Sequence, residues 1–205
     1  MNDHIVRDIA ALEAIYGEVN ETSTLKEIAY LHPSYAAFVK ASPFAVLATN
    51  GPHGLDASPR GDTPGFVEIV DDRTLLLADR RGNNRIDSLR NILADPHVAL
   101  LFLVPGIGET LRVNGTAEIT VDPALLDRFA HAGKLPRSLL RIRIDSVFFQ
   151  CSRALIRSEL WNPERHVPRS ALPSTGQILA AVTHDRIDAE TYDRELPPRL
   201  RATLY

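Results

Sequence analysis

The run Asp79-Arg80-Arg81-Gly82-Asn83-Asn84-Arg85 joins an apolar stretch, 74–78, to a segment in which Ile86, Leu89, Ile92 and Leu93 recur at helical spacing until Asp95-Pro96 stops it. A strand, a turn rich in arginine and asparagine, and an amphipathic helix are therefore expected in that order, with Asn83 or Asn84 capping the helix. Backbone N–H groups at a helix start can hold a dianion together with guanidinium forks, and no metal is needed. Two other runs in 55–115 have the same character. Ser58-Pro59-Arg60-Gly61-Asp62 ends one apolar stretch, and in Thr110-Leu111-Arg112-Val113-Asn114-Gly115 an arginine interrupts another. An arginine directed into a sheet groove needs an anionic partner, because an unpaired buried charge is costly. Arg60, Arg85 and Arg112 are accordingly expected to converge on one phosphate.

Outward from this region the chain reads as strands joined mainly by hairpins. Phe44 to Thr49 and Leu55 to Arg60 flank the turn-rich Asn50-Gly51-Pro52-His53-Gly54, and 66–70 pairs with 74–78 across Asp71-Asp72-Arg73. Beyond the helix, 97–104 is almost continuously apolar, which predicts a strand buried on both faces. A long strand over 110–121 and a short helix over 123–131 follow. In 139–149, Leu140, Ile142 and Ile144 alternate with Arg141, Arg143 and Asp145, the pattern of a half-exposed strand. These elements predict a small antiparallel β-barrel with added helices, an α+β chain. Helical additions are expected at both ends: 1–41, with helices over 3–16 and 34–40 packed on the barrel, and 162–205, with a short helix over 176–183 and a charged, proline-broken end. The barrel itself takes 42–161.

Composition excludes several classes. With 205 residues, 44% hydrophobic and 24% charged, the chain has enough apolar material for a sizeable core and is not of disordered type. A formal charge of −3 argues against a nucleic-acid binder. One cysteine allows no internal disulfide, and Cys151 is expected to be a packed small residue. Met1-Asn2-Asp3-His4 lacks a basic start followed by an apolar run, and no apolar stretch has the length of a membrane span, so a cytoplasmic protein without membrane contact is expected. Gly106-Ile107-Gly108 precedes a strand and lacks a third glycine, which makes it a turn and not a dinucleotide fingerprint. The histidines show no paired spacing for a metal, and no Gly-x-Ser-x-Gly elbow is present. Trp161 suits an interface or the core equally.

The three arginine-bearing motifs together, extended as Asp79 to Asn91 and Gly108 to Gly115, resemble the pyridoxamine phosphate oxidase-like family of FMN-binding split barrels, in a branch apart from the vitamin B6 enzyme. The resemblance covers roughly 42–161. It implies a six-stranded antiparallel split barrel, a homodimer, and FMN in a cleft at the subunit interface. It also implies phosphate ligands at Arg60, Asn84, Arg85 and Ser88, with Ser58 and Arg80 of the same motifs among the cofactor-binding residues. Ala78 and Asp79 would run past the ribityl chain and ring edge. Thr110 occupies a place where the family often has glutamine near the flavin, with Arg112 two residues on. Trp161-Asn162-Pro163-Glu164-Arg165 does not match the substrate-gripping segment of the B6 enzyme, so that substrate is not carried over. The expected function is FMN-dependent oxidation or reduction of an unidentified small molecule, with no side chain named as acid or base. A non-catalytic flavin- or haem-binding sensor or carrier is the alternative, and a deazaflavin-dependent reductase is a third reading.

Overall fold

A computed structural model describes residues 4–205. Asp3, the first residue of the predicted N-terminal helix, lies with Met1 and Asn2 outside the described residues. Seven strands form one antiparallel sheet: β1 (Phe44–Gly51), β2 (Gly54–Gly61), β3 (Val67–Asp71), β4 (Thr74–Asp79), β5 (His97–Leu103), β6 (Thr110–Thr120) and β7 (Ser138–Gln150). Their order is β2-β1-β5-β6-β7-β4-β3, so both expected hairpins are edge pairs. The six-strand expectation is thus corrected to seven. The short β3 pairs only with β4 and makes the additional edge. No ladder among the described residues joins edge β2 to edge β3. Pro59 is tolerated in β2 because an edge strand leaves one row of N–H positions without a ladder partner.

One face of this sheet is buried. Leu47, Leu75, Leu100, Phe102, Leu111, Leu140 and Ile142 are fully enclosed. β7 alternates as its sequence requires, with Leu140, Ile142 and Ile144 buried and Arg141, Arg143 and Asp145 outward. β5 departs from expectation: Val98, Leu100 and Phe102 are buried, whereas Ala99, Leu101 and Leu103 on its other face are only half-covered. A continuous apolar run cannot reveal which face has a cover within the same chain. Close approach of β6 to β7 depends on Gly115 at a ladder irregularity, where a Cβ would lie 2.1 Å from the Arg143 carbonyl oxygen.

Helices pack unevenly on this sheet. Of the N-terminal region, α3 (Pro33–Ala41) packs inward through the fully buried Val39 and starts with Pro33 in its first turn. A short α2 (Glu21–Leu25) precedes it. α1 (Ile9–Tyr16), capped by Asp8 and ended by Gly17, begins later than predicted and buries nothing: Ile5, Ile9, Leu12 and Ile15 are exposed. The expectation that all of 1–41 packs on the barrel therefore narrows to the part around α3. α4 (Asp87–Ala94) fills one end of the core through Ile92 and Leu89, while Ile86 and Leu93, expected in the same stripe, are exposed.

α5 (Pro123–Arg128) links β6 to β7, and α6 (Arg153–Ser158) follows β7. Between β7 and α6, Cys151 is exposed, not packed, because it lies just past the end of the strand. The Trp161 indole N–H donates to the Ile107 carbonyl at 2.8 Å. α7 (Thr175–Val182) and α8 (Ala189–Ala202) pack against each other where Asp193 accepts from the Ser174 hydroxyl and the Gly176 N–H. α8 runs through Pro197 and Pro198, where the sequence predicted a break; this contact with α7 and the Asp188 cap fix its preceding turns. Among the described residues, no helix is long and apolar enough to cross a membrane.

Candidate cofactor cleft

Between edge strand β2 and the β4–α4 turn lies a cleft of about 1010 Å³, the upper end of the size range of small-molecule sites. Ser58, Arg60, Ala78, Asp79, Arg80, Asn84, Arg85 and Ser88 all line it. Strand register explains the β2 contribution. Ser58 and Arg60 stand opposite Leu47 and Ala45, both fully buried, so their side chains share the enclosed face of the sheet.

Thr110 and Arg112 do not line this cleft, and the expected convergence of Arg60, Arg85 and Arg112 is corrected. Arg112 stands opposite Leu101, which stands opposite Val46, on the face of the sheet away from the core. Its guanidinium lies 4.3 Å from the centroid of the Phe148 ring, and its Nε is buried without a hydrogen-bond partner among the described residues. Thr110 is buried nearby and donates its hydroxyl to Gln150 Oε1 at 3.2 Å. An arginine inside an apolar alternation can belong to either face, and only the pairing of β5 with both neighbours settles which.

The turn 80–86 corrects the capping expectation. α4 begins at Asp87, its N-cap is Ile86 in the left-handed region at φ 54°, and no side chain caps its first turn. Asn84 is also left-handed at φ 61°, and Asn83 turns its amide oxygen back to the Arg85 N–H at 3.1 Å. A left-handed β-branched residue is unfavourable in isolation, so surrounding structure must hold Ile86 there. The turn leaves the first-turn N–H donors of α4 unclaimed by any side chain, at the wall of the cleft.

Charge is distributed unequally among the lining residues. Arg80 is committed, donating through Nε to Asp62 at 3.1 Å and through NH1 to the Phe129 carbonyl at 2.7 Å. Arg85 pairs with Asp87 at 2.7 Å and is largely exposed, and the pairing raises its pKa further. The Ser88 hydroxyl donates to Asp56 at 2.9 Å. Arg60 differs: it donates to the Ser58 hydroxyl at 2.5 Å and the Pro59 carbonyl at 2.9 Å, but has no ion pair among the described residues. Burial pushes its pKa down, against the opposing pull of Asp79 and Asp56. Burial likewise raises the Asp79 carboxyl, against Arg60 and Arg137. A desolvated guanidinium held only by neutral oxygens, beside free N–H donors, suits an anion.

Several lining residues were not singled out in the sequence. Arg137 donates to the Asn84 amide oxygen at 2.9 Å, and Asp56, Asp62 and Tyr205 also face the cleft. Arg137 stands immediately before β7 much as Arg60 stands near the end of β2, a signal available in the sequence. Tyr205 gives no such signal. Among the described residues, no group of three or more histidine, cysteine or acidic side chains could hold a metal ion.

Known proteins share this architecture. The family described as Pyridoxamine 5'-phosphate oxidase matches residues 31–151. A crystal structure of a HupZ variant from Group A Streptococcus is 17% identical, with a TM-score of 0.50 over 58% of this chain and 99% of that one. General Stress Protein 26 from Bacillus anthracis is 18% identical, with a TM-score of 0.43 over 56% of this chain and 88% of that one. At 17% identity the likeness to HupZ concerns fold alone. No curated protein sequence matches.

Proposed function

This chain belongs to the pyridoxamine 5'-phosphate oxidase family, and from that membership we propose that its cleft holds FMN and that the protein is an FMN-dependent oxidoreductase acting on a small molecule as a homodimer. The observation that carries this reading is Arg60, a desolvated cation without an ion pair among the described residues, which lines the same cleft as the uncapped start of α4. Together they supply the fork and the N–H donors that a terminal phosphate takes. Arg85 and the Ser88 hydroxyl lie within the same wall and would add donors on leaving Asp87 and Asp56. Asn84, tied to Arg137, shapes the turn beside them.

Ala78 and Asp79 line the same cleft, Asp79 close enough to Arg60 to interact with its charge, and the Asp79 carboxylate would offer an acceptor to ribityl hydroxyls. When bound, the isoalloxazine supplies the hydride or electron chemistry. The chain contributes binding, orientation and exclusion of water. Among the described residues, no histidine, cysteine or methionine lines the cleft to ligate haem iron, which favours the flavin over the haem alternative.

The second copy has a natural surface in this reading. The outward face of β1, β5 and β6 presents half-covered Val46, Ala99 and Leu101 beside Arg112, whose buried Nε lacks a partner. We assign Thr110 and Arg112 to that contact, where any service to a flavin is to the site of the other copy. The test of the function is the visible spectrum of the purified protein, with the mass of the extracted chromophore. Flavin absorption and the mass of FMN are expected. A haem spectrum, or a deazaflavin mass, contradicts the proposal.

A further inference from the structure

Tyr205 reaches the cleft from the far end of the sequence, three residues beyond α8. Its hydroxyl donates to Asp62 Oδ1 at 2.7 Å, and its ring stacks on His131 with centroids 3.7 Å apart and planes 14° apart. The Lys134 ammonium donates to its carbonyl oxygen at 3.0 Å, and the Arg80 guanidinium lies 5.6 Å from the ring centroid. Asp62 is itself anchored. Its side chain is 7% exposed, its Oδ2 accepts from Arg80, and its Oδ1 also takes the Thr63 N–H at 2.8 Å. Burial opposes the Asp62 charge, yet Tyr205, Thr63 and Arg80 together outweigh it and hold the carboxyl below its ordinary range. A residue contacted in this way on its ring, hydroxyl and carbonyl occupies a built position.

That position borders two spaces. Tyr205 lines the main cleft and also a second hollow of about 330 Å³, lined otherwise by Arg80, Arg81, Lys134, Leu135, Pro136 and Arg137. Arg80, Arg81 and Arg137 line both spaces as well, so the two are neighbours that hold Tyr205 and these arginines in common. No carboxylate side chain lines the smaller one among the described residues. α7 and α8 are fastened to each other through Asp193, and the Tyr205 contacts tie the end of that helical pair to the body of the sheet.

We propose that Tyr205 is a specificity-determining residue: its ring is the wall that sets how far a substrate can extend beyond the flavin, and its displacement joins the cleft to the cation-lined hollow. This rests on the FMN reading for the word flavin, but the anchoring of Tyr205 does not. Small substrates are accommodated with the ring in place. Longer ones with an anionic end gain room and favourable charge when it moves.

Two measurements on Tyr205→Ala and Tyr205→Phe test this. In the FMN-loaded protein, collisional quenching of flavin fluorescence by iodide and by neutral acrylamide should rise several-fold in Tyr205→Ala. It should rise less in Tyr205→Phe, which keeps the ring and its stacking on His131. Equal quenching in wild type and Tyr205→Ala overturns the proposal. In flavin-free protein, backbone hydrogen exchange across Ala189–Ala202 should be faster in Tyr205→Ala, since a lost anchor lowers the cost of local opening. Should the wild type retain no flavin, the FMN reading fails by itself, and exchange then decides: faster exchange in the variant sustains the Tyr205 anchor, and identical exchange overturns it.

Discussion

Replacing Arg60 with alanine is expected to weaken FMN binding roughly 10- to 150-fold, the equivalent of about 1.5–3 kcal/mol for hydrogen bonds to a charged group. The direction follows from the state of the side chain before any ligand arrives. Burial has already removed some of the water around the guanidinium, and among the described residues Asp79 and Asp56 act on it only from beyond ion-pair distance. An arriving phosphate thus gains a strong partner at little further desolvation cost. Flavin-free Arg60→Ala is expected to be about as stable as the wild type, because losing the attraction of Asp79 and Asp56 is offset by relieving the desolvation of the guanidinium. Arg60→Lys should fall between the two, keeping the charge but losing the fork. Fluorescence titration with FMN reads the effect directly. Unaltered affinity in Arg60→Ala would remove Arg60 from the phosphate site.

The larger effect is on folding. Phe102→Ala should lower the free energy of unfolding by about 3–5 kcal/mol, the usual cost of truncating an enclosed phenylalanine. Phe102 is 0% exposed and stands between Ala45 of β1 and Leu111 of β6, both also enclosed. Alanine on one side leaves little material to collapse into the void. For a chain of this length the midpoint of thermal unfolding should fall by roughly 6–20 °C. Chemical denaturation measures the loss, and a change below about 1 kcal/mol, the scale of ordinary surface substitutions, would show that β1, β5 and β6 do not enclose this ring.

Much of this architecture was legible because its signals are local. Alternation in β7 needs only Leu140, Ile142 and Ile144 against Arg141, Arg143 and Asp145. The hairpins β1–β2 and β3–β4 are announced by their turn residues, and the strand–turn–helix around Arg80 to Arg85 by its change of period. What depended on distant pairing was not legible. Arg60 and Arg112 look alike along the chain, yet they lie on opposite faces, because parity is set by the pairing of β1 with β2 and of β5 with both neighbours.

Local chemistry also misled where a stronger constraint intervened. Asn83 and Asn84 are better caps than Ile86 by propensity, but the turn brings the start of α4 to the cleft wall with its N–H donors open. Arg80 resembles an anion ligand in sequence, whereas Asp62 and the Phe129 carbonyl hold it as a support for Tyr205. The Tyr205 contact spans 143 positions, a separation that no periodicity can announce.

The central claim is that a phosphate is what this cleft recognises, and it is tested most directly by titrating flavin-free protein with FMN and with riboflavin under identical conditions. The two share every atom of the ring and ribityl chain and differ only in the terminal phosphate. The account predicts that FMN binds more tightly by at least about tenfold, the share of a single charge-assisted contact at Arg60. Equal affinities for the two flavins would contradict it.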